Sequence, residues 1–250
     1  MVVGNRCTLG YSTKEDSLTD LILSAGFLAF AAQSGFLQAV EECGLDVGGV
    51  CGTSSGALVG ALWSAGMPAE RIYTELCGQQ PIGFVRPHMR IWKGMFTLDA
   101  VVARLRRDLP ATFDELERPF GVGVVDAGRP RLVTRGDLPA AVAASCAIPY
   151  LFTPIIFDGR RLSDGGELDR TFFRAWRGHR PSSEVTMHLV DRSMGAACND
   201  DLSTIEVVRS AASGAQFWNL GDTRSRFEAS YQRAHAVFSE RAEDSEISRA

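Results

Sequence analysis

Apolar residues fall along this chain with two kinds of spacing. Short, nearly continuous apolar runs at residues 20–24, 47–51, 121–125 and 185–190 read as strands. Stretches that follow several of them, 31–43, 55–65 and 202–217, carry apolar positions at helical spacing. Strands alternating in this way with helices predict an α/β domain with a mostly parallel sheet and helices on both faces. Helix punctuation agrees: Pro68 opens a helix that Gly78 closes, Thr97 precedes one over 98–109, and Asp137 precedes another over 138–147. Between 152 and 162 the pair Asp158-Gly159 supplies the positive φ of a tight two-residue turn, which predicts a hairpin. A final helix over 227–242 sets Phe227, Tyr231, Ala234 and Phe238 along one face, read as packing on its own domain. Residues 83–96, with Pro87, His88, Trp92 and Met95, show no clean period; a surface loop is the simpler reading, a cap over a pocket the other.

The chain's 250 residues contain no repeat, linker or low-complexity run, so one domain over 20–239 is expected, with an N-terminal segment 1–19 and a polar tail 240–250 that frays. The apolar stretch 21–40 imitates a signal or membrane segment, but Gly26, Gln33, Ser34 and Gly35 interrupt it and Glu15, Asp16 and Asp20 precede it. It reads as a buried strand and helix. Hydrophobic residues at 45% and charged residues at 22% are those of an ordinary folded protein. Twenty-six basic against 30 acidic residues, a net charge of -4, leave no electrostatic footprint for nucleic acid or for steady attraction to an anionic bilayer. Six scattered cysteines (Cys7, Cys43, Cys51, Cys77, Cys146, Cys198) include no C-x-x-C pair and no histidine at ligand spacing. That pattern implies reduced thiols in a cytoplasmic compartment, no metal site and no disulfide framework.

The sharpest local signal is Gly52-Thr53-Ser54-Ser55-Gly56, set between a strand-like and a helix-like run. At such an elbow the serine takes a strained positive φ, and side chains two residues before and after it would collide with the turning backbone; both positions are glycine. The turn lifts the Ser54 hydroxyl out of the sheet and aims the following helix N-terminus, Ser55 first, at a developing oxyanion. The same string also suits a tight strand-to-helix turn that merely contains a serine. His88, His179, His188 and His235 stand in no context that brings them to Ser54 and read as surface or packing residues. Asp164, in Leu162-Ser163-Asp164-Gly165-Gly166, sits on a glycine turn after an extended arm; locally, Asp-Gly pairs such as Asp158 and Asp164 are also ordinary turns.

Three segments in register resemble the patatin-like phospholipase family. They are Leu21-Ile22-Leu23-Ser24-Ala25-Gly26 leading to Gly35-Phe36-Leu37-Gln38-Ala39-Val40-Glu41-Glu42, the elbow Gly52 to Gly56, and Ala144-Ser145-Cys146-Ala147-Ile148-Pro149 followed by Phe157-Asp158-Gly159 and Ser163-Asp164-Gly165-Gly166. The resemblance spans residues 20–66 and 120–166. It implies a three-layer α/β/α fold and a lipid acyl hydrolase without metal or organic cofactor. Ser54 would be the nucleophile and Asp164 its base, with Gly165 and Gly166 forming the turn that carries the carboxylate. Gly26, Phe27 and Ser55 would form the oxyanion hole. A lipid or acyl ester substrate and transient contact with a membrane or micelle surface follow; oligomeric state does not. The family's loop G-G-G-x-R-G is here Ala25-Gly26-Phe27-Leu28-Ala29-Phe30, with one glycine and no arginine. Gly26 is expected to supply the positive φ there, while Phe27 and Phe30 either line an acyl pocket or fill the hole and leave a weak, lipid-binding relative. An α/β-hydrolase triad using His188 or His235 is the other enzymatic reading, although its elbow normally follows more chain than the 53 residues before Ser54.

Overall fold

The computed structural model describes residues 18–88, 94–181, 184–193, 195–198 and 200–247; Cys7, Trp92 and residues 1–17 of the N-terminal segment lie outside the described residues. Strands β1 (Thr19–Leu23) and β2 (Val47–Thr53) flank helix α1 (Phe30–Glu42), and β2 runs into α2 (Ser55–Ser64) and α3 (Ala69–Cys77). A two-stranded ribbon, β3 (Arg86–Pro87) with β4 (Phe96–Thr97), precedes α4 (Asp99–Asp108). Next come β5 (Phe120–Asp126), β6 (Arg129–Val133), α5 (Leu138–Ser145), β7 (Ile155–Phe157) and β8 (Arg160–Asp164). The chain closes with α6 (Phe173–His179), β9 (Glu184–Val190), β10 (Glu206–Ser210) and α7 (Thr223–Ile247).

Five strands pair in parallel in the order β10-β9-β1-β2-β5, and β6, β7 and β8 join antiparallel beyond them. Strand alternation sorts the core into two layers. Leu21, Leu23, Val50, Phe120, Val122 and Val124 face one way, into a core shared with α1 through α5 and α7. Ile22, Cys51, Val185, Met187 and Leu189 face the other, where α6 supplies Phe172 from its N-terminal edge and Trp176. Two glycines of β5 make room for these rings, because a Cβ on Gly121 would lie 2.7 Å from Trp176 and one on Gly123 2.2 Å from Phe172. A fully buried ring of this size contributes about 1.5–3 kcal/mol, enough to seat a seven-residue helix that would not persist alone. Asp20, buried on the same face, accepts from Trp176 Nε1 at 2.9 Å and Arg180 Nε at 2.7 Å.

The stretch 21–40 is indeed a buried strand and helix, and among the described residues no helix is long and apolar enough to cross a membrane. The hairpin at Asp158-Gly159 forms between β7 and β8, with φ of 47° and 74°. Three local expectations are corrected. Residues 202–217 are not a helix: 206–210 form β10 beside β9, with Val208 facing the large core and Val207 the α6 side, and an irregular segment follows. Thr97 caps nothing, since Leu98 holds the N-cap position of α4 and makes no side-chain cap bond. Helix α7 continues through residues 240–247, where a tail was expected.

Candidate active site

Strand β5 brings the two ends of the site together. Along one edge β5 pairs with β6 over Val122–Asp126. Since a strand has only two edges, β2, paired to Phe120 through Gly123, and β8, paired to Val124 through Asp126, must share the other. They meet end to end there. Thr53 lies opposite Gly123 and Asp164 opposite Val124, so residues 110 apart in sequence become neighbours at the strands' C-terminal ends.

The Ser54 Oγ donates to Asp164 Oδ2 at 2.7 Å. Ser54 stands in the turn between β2 and α2 with φ 55° and ψ -121°, the strained elbow that the flanking glycines predict. A Cβ on Gly52 would lie 2.4 Å from Gly56 O, and one on Gly56 would lie 2.2 Å from Leu23 O. Ser145, which is fully buried, anchors the elbow by accepting from Ser54 N at 2.8 Å and donating to Gly123 O at 2.6 Å. Cys146 Sγ donates to Ser54 O at 3.3 Å. The Ala144-to-Pro149 motif thus ends α5 against the serine turn, a contact that the motif's own sequence does not reveal.

Asp164 is 5% exposed. Its Oδ1 accepts from Gly166 N at 2.7 Å; a Cβ on Gly165 would lie 2.4 Å from Gly123 O and one on Gly166 2.8 Å from the Ala25 Cβ, which explains both glycines of the turn. Burial pushes the carboxyl up to about 7; the bonds from Ser54 and Gly166 pull it back, and nearby Glu167 pushes it further up.

Gly26 and Phe27 border the same depression as Ser54 and Asp164, and Ser55 is the first residue of α2, with its backbone N–H among the helix's unpaired donors. The loop's positive φ falls on Leu28, at 49°, and not on Gly26. Gly26 is needed for space: a Cβ there would lie 2.8 Å from that of Ala29. Two depressions meet at Phe27, Ser54 and Ile148. One, about 140 Å³, is apolar and runs between α2, α3 and α4 past Leu58, Leu62, Leu76 and Val101. The other, about 270 Å³, is bordered by Tyr150, Glu167, Arg170 and Ser193.

The histidines lie elsewhere. His188 is buried on β9, stacked on Phe36 at 4.8 Å, with Nε2 2.9 Å from Ser210 Oγ and 3.3 Å from Ser230 Oγ; burial pushes its pKa down to about 3. His235 on α7 adjoins Tyr231 and Ser239, and His179 adjoins Trp176. Among the described residues no group of three or more His, Cys, Asp or Glu side chains is placed to hold a metal ion.

The model of the patatin-like phospholipase family matches residues 21–175. Uncharacterized NTE family proteins of Mycobacterium bovis and Mycobacterium tuberculosis are 35% identical over 158 residues, covering 60% of this chain and 42% of theirs. The chain therefore spans less than half the length of those relatives. VipD from Legionella pneumophila matches with a TM-score of 0.55 at 13% identity, over 90% of this chain and 67% of that one. Full-length ExoU of Pseudomonas aeruginosa, solved with SpcU, matches with a TM-score of 0.52 at 13% identity, over 90% and 53%. At that identity the two structures show a common fold.

Proposed function

This chain belongs to the patatin-like phospholipase family, and from that premise we propose that it hydrolyses carboxylic esters of lipids with Ser54 as nucleophile and Asp164 as its only side-chain base. The observation that carries the reading is the 2.7 Å bond from the Ser54 hydroxyl to a buried carboxylate. Ser54 Oγ attacks the ester carbonyl carbon as its proton passes to Asp164 Oδ2. Backbone N–H groups of Gly26, Phe27 and Ser55 hold the oxyanion. The tetrahedral species collapses, its C–O bond to the alcohol breaks, and the departing oxygen takes the proton from Asp164. Water then attacks the acyl-enzyme, yields its proton to Asp164, and the acid leaves as Ser54 recovers that proton. A carboxyl near 7 suits both halves, being basic enough to accept the serine proton and acidic enough to return it.

The apolar depression suits the acyl chain, and the second, which Glu167, Arg170 and Ser193 border, suits the alcohol portion. Exposed Ile82, Met95, Tyr150 and Trp218 suit transient contact with a lipid surface. A histidine triad is disfavoured by His188, whose ring is held by Ser210 and Ser230. A fluorophosphonate is expected to label the wild-type chain and not Ser54→Ala, and Asp164→Asn is expected to lower kcat by 10³-fold or more. Tight lipid binding with no labelling would instead mark a non-catalytic binder.

A further inference from the structure

The loop from Ser24 to Leu28 lacks most of the glycines its family uses, yet its carbonyls are held by an unusual set of partners. Four successive carbonyl oxygens each accept from a side chain of a different segment. Gln33 Nε2 of α1 donates to Ser24 O at 2.9 Å, Arg170 Nη2 to Ala25 O at 2.8 Å, Ser55 Oγ to Gly26 O at 2.6 Å, and Ser213 Oγ to Phe27 O. All four donors are buried. The N–H groups are treated differently. Those of Ser24 and Ala25 donate to His188 O and Arg170 O, whereas those of Gly26, Phe27 and Leu28 meet no acceptor among the described residues. Simple satisfaction of buried backbone would pair donors as thoroughly as acceptors. Here the four carbonyls from Ser24 to Phe27 are taken, while the three consecutive donors of Gly26, Phe27 and Leu28, residues that border the depressions at Ser54, are left open.

Peptide planarity links the two halves of that pattern. A carbonyl and the N–H of the next residue share one rigid plane and point in opposite directions. Holding Ala25 O therefore aims Gly26 N–H, holding Gly26 O aims Phe27 N–H, and holding Phe27 O aims Leu28 N–H. Arg170 holds two successive planes: Nη2, itself tied to Val190 O at 2.5 Å, takes Ala25 O, and its backbone O accepts from Ala25 N in the preceding peptide at 2.7 Å. Phe27 is further fixed by edge-on contact with Phe217, ring centroids 5.3 Å apart.

We propose that Arg170, the Ser55 hydroxyl and Ser213 are positioning groups that lock three successive peptide planes, so that the N–H groups of Gly26 and Phe27, joined by that of Leu28, are aimed at the oxyanion that the Ser55 N–H also holds. This inference rests on Ser54 being the nucleophile. It explains how a loop with Phe and Leu in place of glycine is held in a conformation that Leu28 adopts only under strain. It also accounts for the absent loop arginine: the guanidinium comes from Arg170, 145 residues after the carbonyl it holds.

The test compares wild type with Ser55→Ala and Ser213→Ala, both small truncations, and with Arg170→Met. Steady-state rates on a soluble ester are measured with the rate of fluorophosphonate labelling. Affinities are measured for a trifluoromethyl ketone, which forms an oxyanion on Ser54, and for the alcohol of the same chain, which does not. The expected result is a fall of 10- to 100-fold in kcat and labelling rate, with KM within threefold. Trifluoromethyl ketone affinity should fall in parallel while alcohol affinity holds, and Ser55→Thr, which keeps the hydroxyl, should restore the rate. Ser55→Ala and Ser213→Ala both within twofold of wild type in kcat and labelling would overturn the proposal and leave the hydrolase reading standing. So would equal losses for ketone and alcohol. A wild-type chain neither labelled at Ser54 nor active on any ester would overturn both.

Discussion

In the proposed reaction Asp164 meets conflicting demands at the residue scale, because the burial that would make it a useful base also makes its ionised form costly. With its carboxyl raised from 3.8 to about 7, only about a tenth is ionised at pH 6 and about nine-tenths at pH 8. The rate of acylation is expected to rise with pH and level off above about 8, which a kcat/KM profile on a soluble ester checks. Stability has the opposite slope. Between about pH 4 and 7 the folded chain keeps a proton that the unfolded chain has released, so stability falls as pH rises through that window and is level above it. Asp164→Asn keeps the shape and an acceptor for Gly166 N while removing the charge. It is expected to melt above wild type at pH 8 and to match it near pH 4; a variant that melts lower at pH 8 contradicts the raised pKa. The Ser54 elbow was legible in its flanking glycines, but a D-G-G turn alone is an ordinary turn, so the pairing of Asp164 with Ser54 came only through the family resemblance. Ser145 and Arg170 were not legible, since their contacts cross 91 and 145 residues and follow no spacing rule.

Elements position these residues through close backbone approaches that admit no side chain. Gly56 lets α2 rest on the end of β1, where an added Cβ would lie 2.2 Å from Leu23 O and 2.9 Å from Ser24 O. Backbone must then move, and a displacement near 1 Å at the proposed nucleophile would cost about 10²-fold in rate. Gly56→Ala is therefore expected to lose that much kcat and to lower the melting temperature; wild-type kinetics would show that the elbow tolerates the shift. Two residues further along α2, Leu58 lines the apolar depression without being fully buried. Leu58→Trp is expected to reduce kcat/KM for long acyl esters about tenfold or more while sparing short ones. Equal losses at all lengths would place the acyl chain elsewhere. The parallel strands and their helices were readable because each obeys one period. β6 escaped because its hairpin turns on Ala127 and Gly128, with φ of 49° and 77°, and alanine gives no sign of a positive φ. β10 escaped because five residues pairing along a sheet edge carry too little alternation to outweigh the apolar residues around them.

For the whole molecule, the distribution of exposed apolar groups matters more than composition or net charge. Tyr150 borders the second depression and is 91% exposed. Met95 donates its N–H to Tyr150 O, Ile82 donates to Phe217 O, and Trp218 follows Phe217, which lines the apolar depression. Four residues with exposed apolar side chains thus stand on backbone that borders a depression or is bonded or adjacent to residues that do. No sequence period brings 82, 95, 150 and 218 together; only the folded chain does. Scattered exposed apolar residues need no explanation; four near an apolar depression suit the contact with a lipid surface that the proposed function calls for. Met95 and Trp218 line neither depression, so replacing both with serine separates surface contact from chemistry. Losing burial of an indole and a thioether at an interface removes about 2 kcal/mol or more, equivalent to over tenfold in binding. The double variant is expected to hydrolyse lipid in vesicles about tenfold more slowly, to sediment less with those vesicles, and to turn over a soluble short-chain ester within about twofold of wild type. Equal losses on vesicles and soluble ester would mean that these side chains support the fold or the chemistry and do not meet the lipid.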